Sequence, residues 1–377
     1  MFLTQKRGLA IGMKKMRLCF IVYSDSIHSR KWVSYFVERG HDVHVLSTGK
    51  TVIPGTHFHT LYNRLPSKVR ALPRMAKIRK LVAEIKPDLI NGQPMGLGFY
   101  AVMSGVKPVT AGAWGSDIYF TGRSKLGRWH IRYALRHSDL MTADAVDLKN
   151  EMVKQGADPD KVMVVTHGVD TSKFKPMNVE ALKRKHGLQG KKIVLAARYF
   201  EFIYDLPGIA KAFPAVLKEV PDAVLVYLGK GSLEGHLKSL VKELGIEKHV
   251  IFLPPVPYSE FPKYLQLADA YMSASVYEST SISLLEAMSC GLAPVVSDLE
   301  ANTEWIVDGK NGLMFKRRDY KQMAEKIIYA LKHKKKMKQF GRINRRTIQK
   351  KTEYRKEMRR VEESYEKLIA QYKRRRG

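Results

Sequence analysis

Short apolar runs of strand length recur along the chain, each followed by a segment with helical spacing, and no other feature constrains the fold as much. Leu18-Cys19-Phe20-Ile21-Val22-Tyr23 leads through a polar turn at 24–28 into a helical stretch over 29–39 that stops at Gly40. Residues 43–46 supply the next strand and complete a βαβ unit. Further runs follow at 88–90, 108–110, 140–142 and 162–165. After a polar stretch over 170–190 the pattern starts afresh at Lys192-Ile193-Val194-Leu195-Ala196, with strands at 223–228, 250–253, 270–273 and 293–297. This alternation predicts an α/β chain built as two doubly wound parallel-sheet domains that face each other across a cleft near residue 175. Ligands of such sheets bind outside the carboxyl ends of the strands, so chemistry is sought in the loops there.

A length of 377 residues fits about two domains at roughly 150 residues each. Hydrophobic residues make up 45% and charged residues 27%, enough apolar surface for two cores and too much for a disordered chain. Cys19 and Cys290 lie far apart in apolar segments, which excludes a disulfide framework and a cysteine-based zinc site and fits a reducing compartment. No apolar run approaches the ~18 residues of a membrane span. Residues 1–12 hold too short an apolar stretch for a signal-peptide core, and the fold is expected to begin near Met13.

Lys and Arg number 66 against 36 Asp and Glu, a net charge of +30, and residues 310–377 alone hold 25 basic against 7 acidic residues. That bias fits a polyanionic partner, either nucleic acid or an anionic membrane surface, or else a solvated helix face. No helix-turn-helix, zinc-finger or aromatic-basic RNA-binding pattern accompanies the charge, so nucleic acid is the weaker partner. Residues 68–85 place Lys68, Arg70, Arg74, Lys77, Arg79 and Lys80 among apolar residues at helical spacing. They read either as a basic helix lying on anionic headgroups or as a sheet-covering helix with a solvated face.

Ala274-Ser275-Val276-Tyr277-Glu278-Ser279-Thr280-Ser281-Ile282-Ser283-Leu284-Leu285-Glu286-Ala287-Met288-Ser289-Cys290-Gly291 is the most informative stretch. Strand, polar loop and helix follow in that order, with Ser283 as the expected N-cap and Gly291 as the stop. The loop over 280–283 would aim free backbone N–H groups at a diphosphate held by the positive end of the helix dipole. Ser283-Leu284-Leu285-Glu286 is equally a capping box, in which Glu286 closes only its own helix.

Glu278 and Glu286, eight residues apart, resemble the E-x7-E motif of retaining glycosyltransferases of the GT-B fold, and the chain resembles glycosyltransferase family 4. Ser26-Ile27-His28-Ser29-Arg30 with Glu38-Arg39-Gly40-His41-Asp42-Val43 is similar to that family's opening loop, helix and second strand. His167-Gly168-Val169-Asp170-Thr171-Ser172-Lys173-Phe174-Lys175-Pro176 resembles its interdomain hinge, and Val226-Tyr227-Leu228-Gly229-Lys230-Gly231 its nucleotide-side turn. Leu267-Ala268-Asp269-Ala270 and Trp305-Ile306-Val307-Asp308-Gly309-Lys310-Asn311-Gly312-Leu313 extend the likeness, which runs from about residue 17 to residue 315.

The resemblance implies an acceptor-binding domain over residues 13–175, a nucleotide-sugar-binding domain over 176–352, and a C-terminal helix and basic tail over 353–377 that crosses back to the first domain. It implies that Glu286 holds the ribose hydroxyls, that Glu278 meets the donor sugar's hydroxyls, and that Arg198 stabilises the departing diphosphate. A preorganised cation at that point lowers the barrier, while a structural salt bridge is the alternative for Arg198. Ser279, Thr280, Ser281, Ile282, Ser283 and Gly229 fall on the donor side with Ser26 of the first loop, and Trp114 and His28 on the acceptor side. Asp117 either positions an acceptor hydroxyl or holds a turn.

The chain departs from the family at several points. Ile203 and Tyr204 stand where a second diphosphate cation, a lysine, is usual, and Ser24-Asp25-Ser26 lacks paired glycines. Trp114-Gly115-Ser116-Asp117 carries tryptophan in place of histidine, to stack on an acceptor sugar or to pack in the core. Glu300-Ala301-Asn302 replaces a glycine-rich loop.

Three further patterns carry less. Gly96-Leu97-Gly98-Phe99-Tyr100-Ala101 fits a loose dinucleotide pattern but lies outside the first βα turn. His57-Phe58-His59 alternates as on a strand, and with no third ligand beside it in the sequence it reads as a solvent-facing pair. Cys290 reads as an inert packing group.

The function implied is retaining transfer of a hexose from a nucleoside diphosphate sugar to an acceptor hydroxyl on a glycan or lipid-linked carrier. No cofactor and no protein-bound metal is expected, and the expected location is the cytoplasm or the inner face of the membrane. The alternatives are a nucleotide-sugar-binding scaffold without transfer, a GT-B epimerase or phosphorylase, and a basic nucleic-acid-binding protein.

Overall fold

The computed structural model describes residues 15–62, 71–119 and 125–375. Two compact units emerge, one formed by Met1–Val165 with Met358–Gly377 and the other by Thr166–Glu357. Residues 166–175, read from the sequence as the end of the first domain, instead pack into the second unit, where Val169 and Phe174 are fully buried in its core.

The first unit contains seven strands: β1 (Arg17–Val22), β2 (Asp42–Ser47), β3 (His57–Thr60), β4 (Leu89–Gln93), β5 (Val109–Gly112), β6 (Leu140–Ala143) and β7 (Val162–Val164). They form one sheet in the order β3-β2-β1-β4-β5-β6-β7. The second unit contains β8 (Lys192–Ala197), β9 (Ala223–Leu228), β10 (Val250–Leu253), β11 (Ala270–Ser273), β12 (Pro294–Ser297) and β13 (Leu313–Phe315), ordered β10-β9-β8-β11-β12-β13. Every pairing is parallel. Helices cover both faces of such sheets, which is why the central strands read as continuous apolar runs: Ala223–Leu228 is buried along its whole length. Strand order reverses between β1 and β4 in one unit and between β8 and β11 in the other, so each sheet has a switch point of the kind that hosts ligands.

The sequence-expected helix over 68–85 is observed as Ala71–Ile85, and residues 68–70 lie outside the described residues. Only Ile78, Val82 and Ile85 of this helix are buried, at i, i+4 and i+7; Lys77, Arg79 and Lys80 are exposed, whereas Arg74 turns inward over the Tyr100 ring with its Nε buried.

The last helix, Tyr354–Arg374, buries Met358, Val361, Tyr365 and Ile369 at helical spacing in the first unit. Tyr365 stacks on Phe36 with ring centres 5.5 Å apart, and its hydroxyl accepts from Asn91 Nδ2 at 3.0 Å. Glu362, with no exposed surface, receives Tyr35 OH at 2.7 Å, His41 Nε2 at 2.7 Å and Arg39 Nε at 3.2 Å. Burial pushes this carboxyl up, but the three donors outweigh burial and hold it below the usual carboxylate range. Tyr372 OH to Asp139 at 2.6 Å and Lys373 Nζ to Asp88 at 2.6 Å continue the attachment toward the helix end.

Candidate functional site

The carboxyl ends of β8 and β11 open the second unit at its switch point, and the loops there hold the residues that the sequence singled out. Arg198 follows β8 directly, and the loop that follows β11 returns as the helix Ile282–Ser289. The two loops are tied together, since Val276 N–H donates to Ile203 C=O at 2.8 Å and Ser297 Oγ at the end of β12 donates to Ser275 C=O at 2.6 Å. From the neighbouring β9 comes Gly229, whose Cβ, if present, would lie 2.1 Å from the carbonyl oxygen of Arg198. Only glycine lets these backbones meet.

Arg198 is nine-tenths buried and fully engaged at its fork. Nη1 donates to Ser281 Oγ at 2.6 Å and Ser283 Oγ at 2.7 Å, while Nη2 donates to Ser275 Oγ at 3.3 Å and pairs with Glu278. The Nε–H is buried without an acceptor. Ser275 Oγ also donates to Glu278 at 3.0 Å, and Tyr271, buried on β11, places its hydroxyl 2.8 Å from Ser283 Oγ. Under the guanidinium lies the Tyr204 ring, 4.2 Å from Cζ to ring centre, at one of the two positions where the family pattern has lysine. A cation over an aromatic face is stabilised by the ring quadrupole, and more so when desolvated.

The site helix starts two residues earlier than expected. Ser281, not Ser283, is its N-cap, and Glu286 therefore stands mid-helix instead of closing a capping box. Neither hydroxyl caps a backbone N–H, because Arg198 holds both and Tyr271 OH lies 2.8 Å from Ser283 Oγ, so Ser281 is the cap by backbone position alone. Glu286 is buried and accepts from Tyr258 OH in the loop after β10. Burial, reinforced by this carboxylate, pushes the Tyr258 hydroxyl far above the ordinary phenol range. At the opposite end of the helix, Arg345 Nη1 donates to Ser289 C=O at 2.6 Å and Gln266 Nε2 to Cys290 C=O at 2.6 Å. These donors complement the negative end of the dipole and leave the positive end, with its unpaired first-turn N–H groups, beside Arg198. Cys290 is buried and its thiol is pushed up to about 12, first by that burial, so it stays protonated and inert.

Within this unit Arg198, Glu278, Ser281 and Ser283 thus form one cluster, Gly229 backs it, Ser279 and Thr280 are buried in the same loop, Ile282 opens the helix, and Glu286 faces Tyr258. Tyr204, Tyr258, Tyr271 and Ser275 are members that the sequence reading did not assign. Tyr258 carries a usable signal, since it follows a strand's carboxyl end, whereas nothing local marks Tyr271 inside β11.

In the first unit, the loops after β1, β4 and β5 collect the remaining candidates. His28 and Trp114 meet edge to face at 5.9 Å, and Trp114 Nε1 donates to Gln93 Oε1 at 3.3 Å. Burial first, then the nearby Lys31, pull the His28 imidazole down to about 4, so it is neutral at neutral pH. Asp117 accepts Trp114 N–H at 2.9 Å on one oxygen and Met95 N–H at 2.7 Å on the other, fixing the turn between β5 and the following helix to the start of the helix after β4. Burial nevertheless raises its carboxyl above the ordinary value. Ser26 caps the helix Ile27–Glu38 by position, with no side-chain hydrogen bond into the first turn.

Comparison with known proteins places the chain among enzymes. Residues 178–347 match the profile "Glycosyl transferases group 1" and residues 17–145 the profile "Glycosyl transferase 4-like". N-acetyl-alpha-D-glucosaminyl L-malate synthase of Bacillus anthracis is 26% identical over 331 residues, spanning 82% of this chain and 85% of that protein. Alpha-monoglucosyldiacylglycerol synthase of Streptococcus pneumoniae is 30% identical over 177 residues, 44% of this chain and 40% of that one. Anabaena HepE, solved in complex with UDP-glucose, superposes with a TM-score of 0.82 at 16% identity over 94% of this chain and 100% of that chain.

Proposed function

This chain is a glycosyltransferase of family 4 with the GT-B fold, and from that premise we propose that it transfers a hexose from a nucleoside diphosphate sugar to an acceptor hydroxyl with retention at the anomeric carbon. The observation that carries this reading is the Arg198 cluster at the switch point between β8 and β11. In the free site Glu278 neutralises the buried guanidinium. An arriving diphosphate replaces the carboxylate as partner, supported by the helix start at Ile282, and Glu278 is released to accept from the donor sugar's hydroxyls. Departure of the diphosphate builds charge on its oxygens where Arg198 is already held, so little reorganisation precedes the transition state. The acceptor hydroxyl then attacks from the face that the leaving group vacates, and its proton passes to the leaving phosphate. Glu286, with Tyr258 fixing its orientation, holds the ribose hydroxyls. On the acceptor side Trp114 supplies an aromatic face and His28 a neutral imidazole. No resident metal or cofactor takes part in this route.

The donor carries uridine in the reading that the UDP-glucose complex of HepE supports. A lipid-linked acceptor at an anionic membrane surface is supported by a relative whose name specifies a diacylglycerol glycoside and by the helix Lys125–His137. Lys125, Arg128, Arg132 and Arg136 interleave there with Trp129, which is half exposed, and with the exposed Leu126. Among the described residues no helix is long and apolar enough to cross a membrane, so contact would be peripheral, from the cytoplasmic face.

Thermal-shift measurements against UDP-, GDP- and ADP-sugars, repeated with Glu286→Ala, test the donor assignment. A rise in melting temperature with one nucleotide class, lost in the variant, is expected. No shift with any of the three rejects it. Transfer with inversion, read from the anomeric proton coupling of the product, rejects retention. Donor binding with no transfer to any acceptor identifies a scaffold. Co-sedimentation with anionic liposomes at two salt concentrations tests the membrane, and pelleting that is absent at low salt removes it.

A further inference from the structure

On the edge of the first sheet, far along the strands from the loops just described, four titratable residues share one face. β2 pairs with β3 in parallel with His44 opposite His57 and Leu46 opposite His59. Because side chains alternate with a period of two, Asp42 and His44 of β2 lie on the same face as His57 and His59 of β3. The spacing His57-Phe58-His59 supplies no third ligand by itself; the strand pairing supplies Asp42 and His44.

We propose that Asp42, His44 and His57 bind one late first-row divalent cation of the Zn²⁺ class. Asp42 Oδ1 lies 3.3 Å from His44 Nε2 and 3.5 Å from His57 Nε2, and all three ligand atoms fall within 4.8 Å of one another. Four ligands around a tetrahedral Zn²⁺ at about 2.0–2.1 Å are separated by about 3.3 Å, which the two edges at Asp42 Oδ1 match, while the edge between the imidazoles lies within 4.8 Å. Ring stacking at 4.6 Å holds His57 against His44.

The surrounding groups orient the ligands as a second layer does in metal sites. His44 Nδ1 lies 3.2 Å from His59 Nε2. When His44 donates from Nδ1 to His59, its Nε2 turns a lone pair toward Asp42 Oδ1, an acceptor, and a cation between them resolves that opposition. Arg17 Nε donates to Asp42 Oδ2 at 2.8 Å, which fixes the carboxylate and leaves Oδ1 for the metal. Two imidazoles and one carboxylate suit Zn²⁺, Co²⁺ or Ni²⁺ better than Mg²⁺ or Ca²⁺, which take oxygen ligands. Water fills the fourth position.

Asp42 and His57 are the first residues of their strands, so this site lies at the amino ends, opposite the carboxyl ends where donor chemistry is read. A cation here pins the edge strand β3, whose outer side has no further strand among the described residues, to β2. The site serves the fold and is independent of the transferase reading.

Metal-stripped protein titrated with Co²⁺ tests the assignment. One equivalent should bind with the strong visible absorption of a four-coordinate ion, and Zn²⁺ should displace it. His57→Ala removes a ligand that is two-thirds exposed, so the variant should fold and bind nucleotide sugar as before yet lose the absorption and bind at least tenfold more weakly. His236→Ala, an exposed histidine of the other unit, should leave the titration unchanged. Zn²⁺ should raise the melting temperature of the parent protein but not of His57→Ala. Equal cobalt uptake by the parent and His57→Ala, or only the pale spectrum of a six-coordinate ion, would overturn the site.

Discussion

Replacing Arg198 with lysine separates a point charge from a fork. The guanidinium commits its Nη groups to Ser281, Ser283, Ser275 and Glu278. An ammonium has three hydrogens and no plane, so it keeps the pair with Glu278 but cannot also span the serines. The orphaned hydroxyls rebond, because Tyr271 OH already lies 2.8 Å from Ser283 Oγ and Ser281 Oγ lies 3.5 Å from it. Stability should therefore fall by only about 1 kcal/mol, a drop in melting temperature of about 2–4 °C for a unit of this size. Loss of one preorganised donor from a site where charge develops costs about 2.7–4 kcal/mol in the transition state, so kcat should fall about 10²–10³-fold. Initial rates at saturating nucleotide sugar, with melting curves on the same samples, read both quantities. A kcat within about threefold of the parent would mean that charge alone suffices and would refute the fork argument. A melting temperature lowered by more than about 10 °C, with activity tracking the folded fraction, would make Arg198 a structural ion pair.

Glu286→Gln keeps an acceptor for Tyr258 OH but removes the charge that the proposed function offers to the ribose hydroxyls, so calorimetric Kd for the nucleotide sugar should rise about tenfold, or 1.4 kcal/mol, and an unchanged Kd would detach this residue from the donor. Gly229→Ala drives a methyl group into the Arg198 carbonyl and should cost about 3 kcal/mol or more in denaturant unfolding together with most activity; a near-neutral effect would show that the turn can move aside. Glu362→Gln leaves the buried Tyr35 and His41 and the partly buried Arg39 facing a weaker acceptor and should cost about 3 kcal/mol at neutral pH. Because the folded carboxyl titrates below its ordinary value of 4.5, this contribution is present above that pH and fades as pH falls through the folded value, so parent and variant melting curves should converge in acid; a constant difference would refute the assignment.

Strands buried on both faces were legible because they need no partner to announce themselves: Ala223–Leu228 is apolar throughout, and its neighbours differ little. The strand β13, three residues long, offers too short a run and was read only as part of a motif. Helix ends were less legible where several caps compete. Serines at 279, 281 and 283 are all chemically able to start the site helix, but the hydroxyls of Ser281 and Ser283 are both taken by Arg198, from 83 and 85 residues away in sequence, so no side-chain cap marks the start. Tyr258 on Glu286, Gln93 on Trp114 and Asp42 beside His57 are likewise products of strand register and loop placement, which no local spacing encodes.

The absent lysine makes the same point from the opposite side. Ile203 and Tyr204 looked like a deficit when only the family pattern was in view. In the fold, Ile203 contributes its carbonyl to Val276, and Tyr204 lies under the guanidinium at 4.2 Å. A lysine ammonium at the Tyr204 position would sit beside a buried cation and repel it in the free enzyme, to be offset only once the diphosphate arrives. The ring does the reverse, stabilising Arg198 before the proposed donor binds. Weaker charge compensation in the complex is thus exchanged for a better-held arginine in the free state, and Tyr204→Ala, by removing about 1–2 kcal/mol of that support, should lower kcat by loosening Arg198 even though tyrosine never occupies the diphosphate position itself.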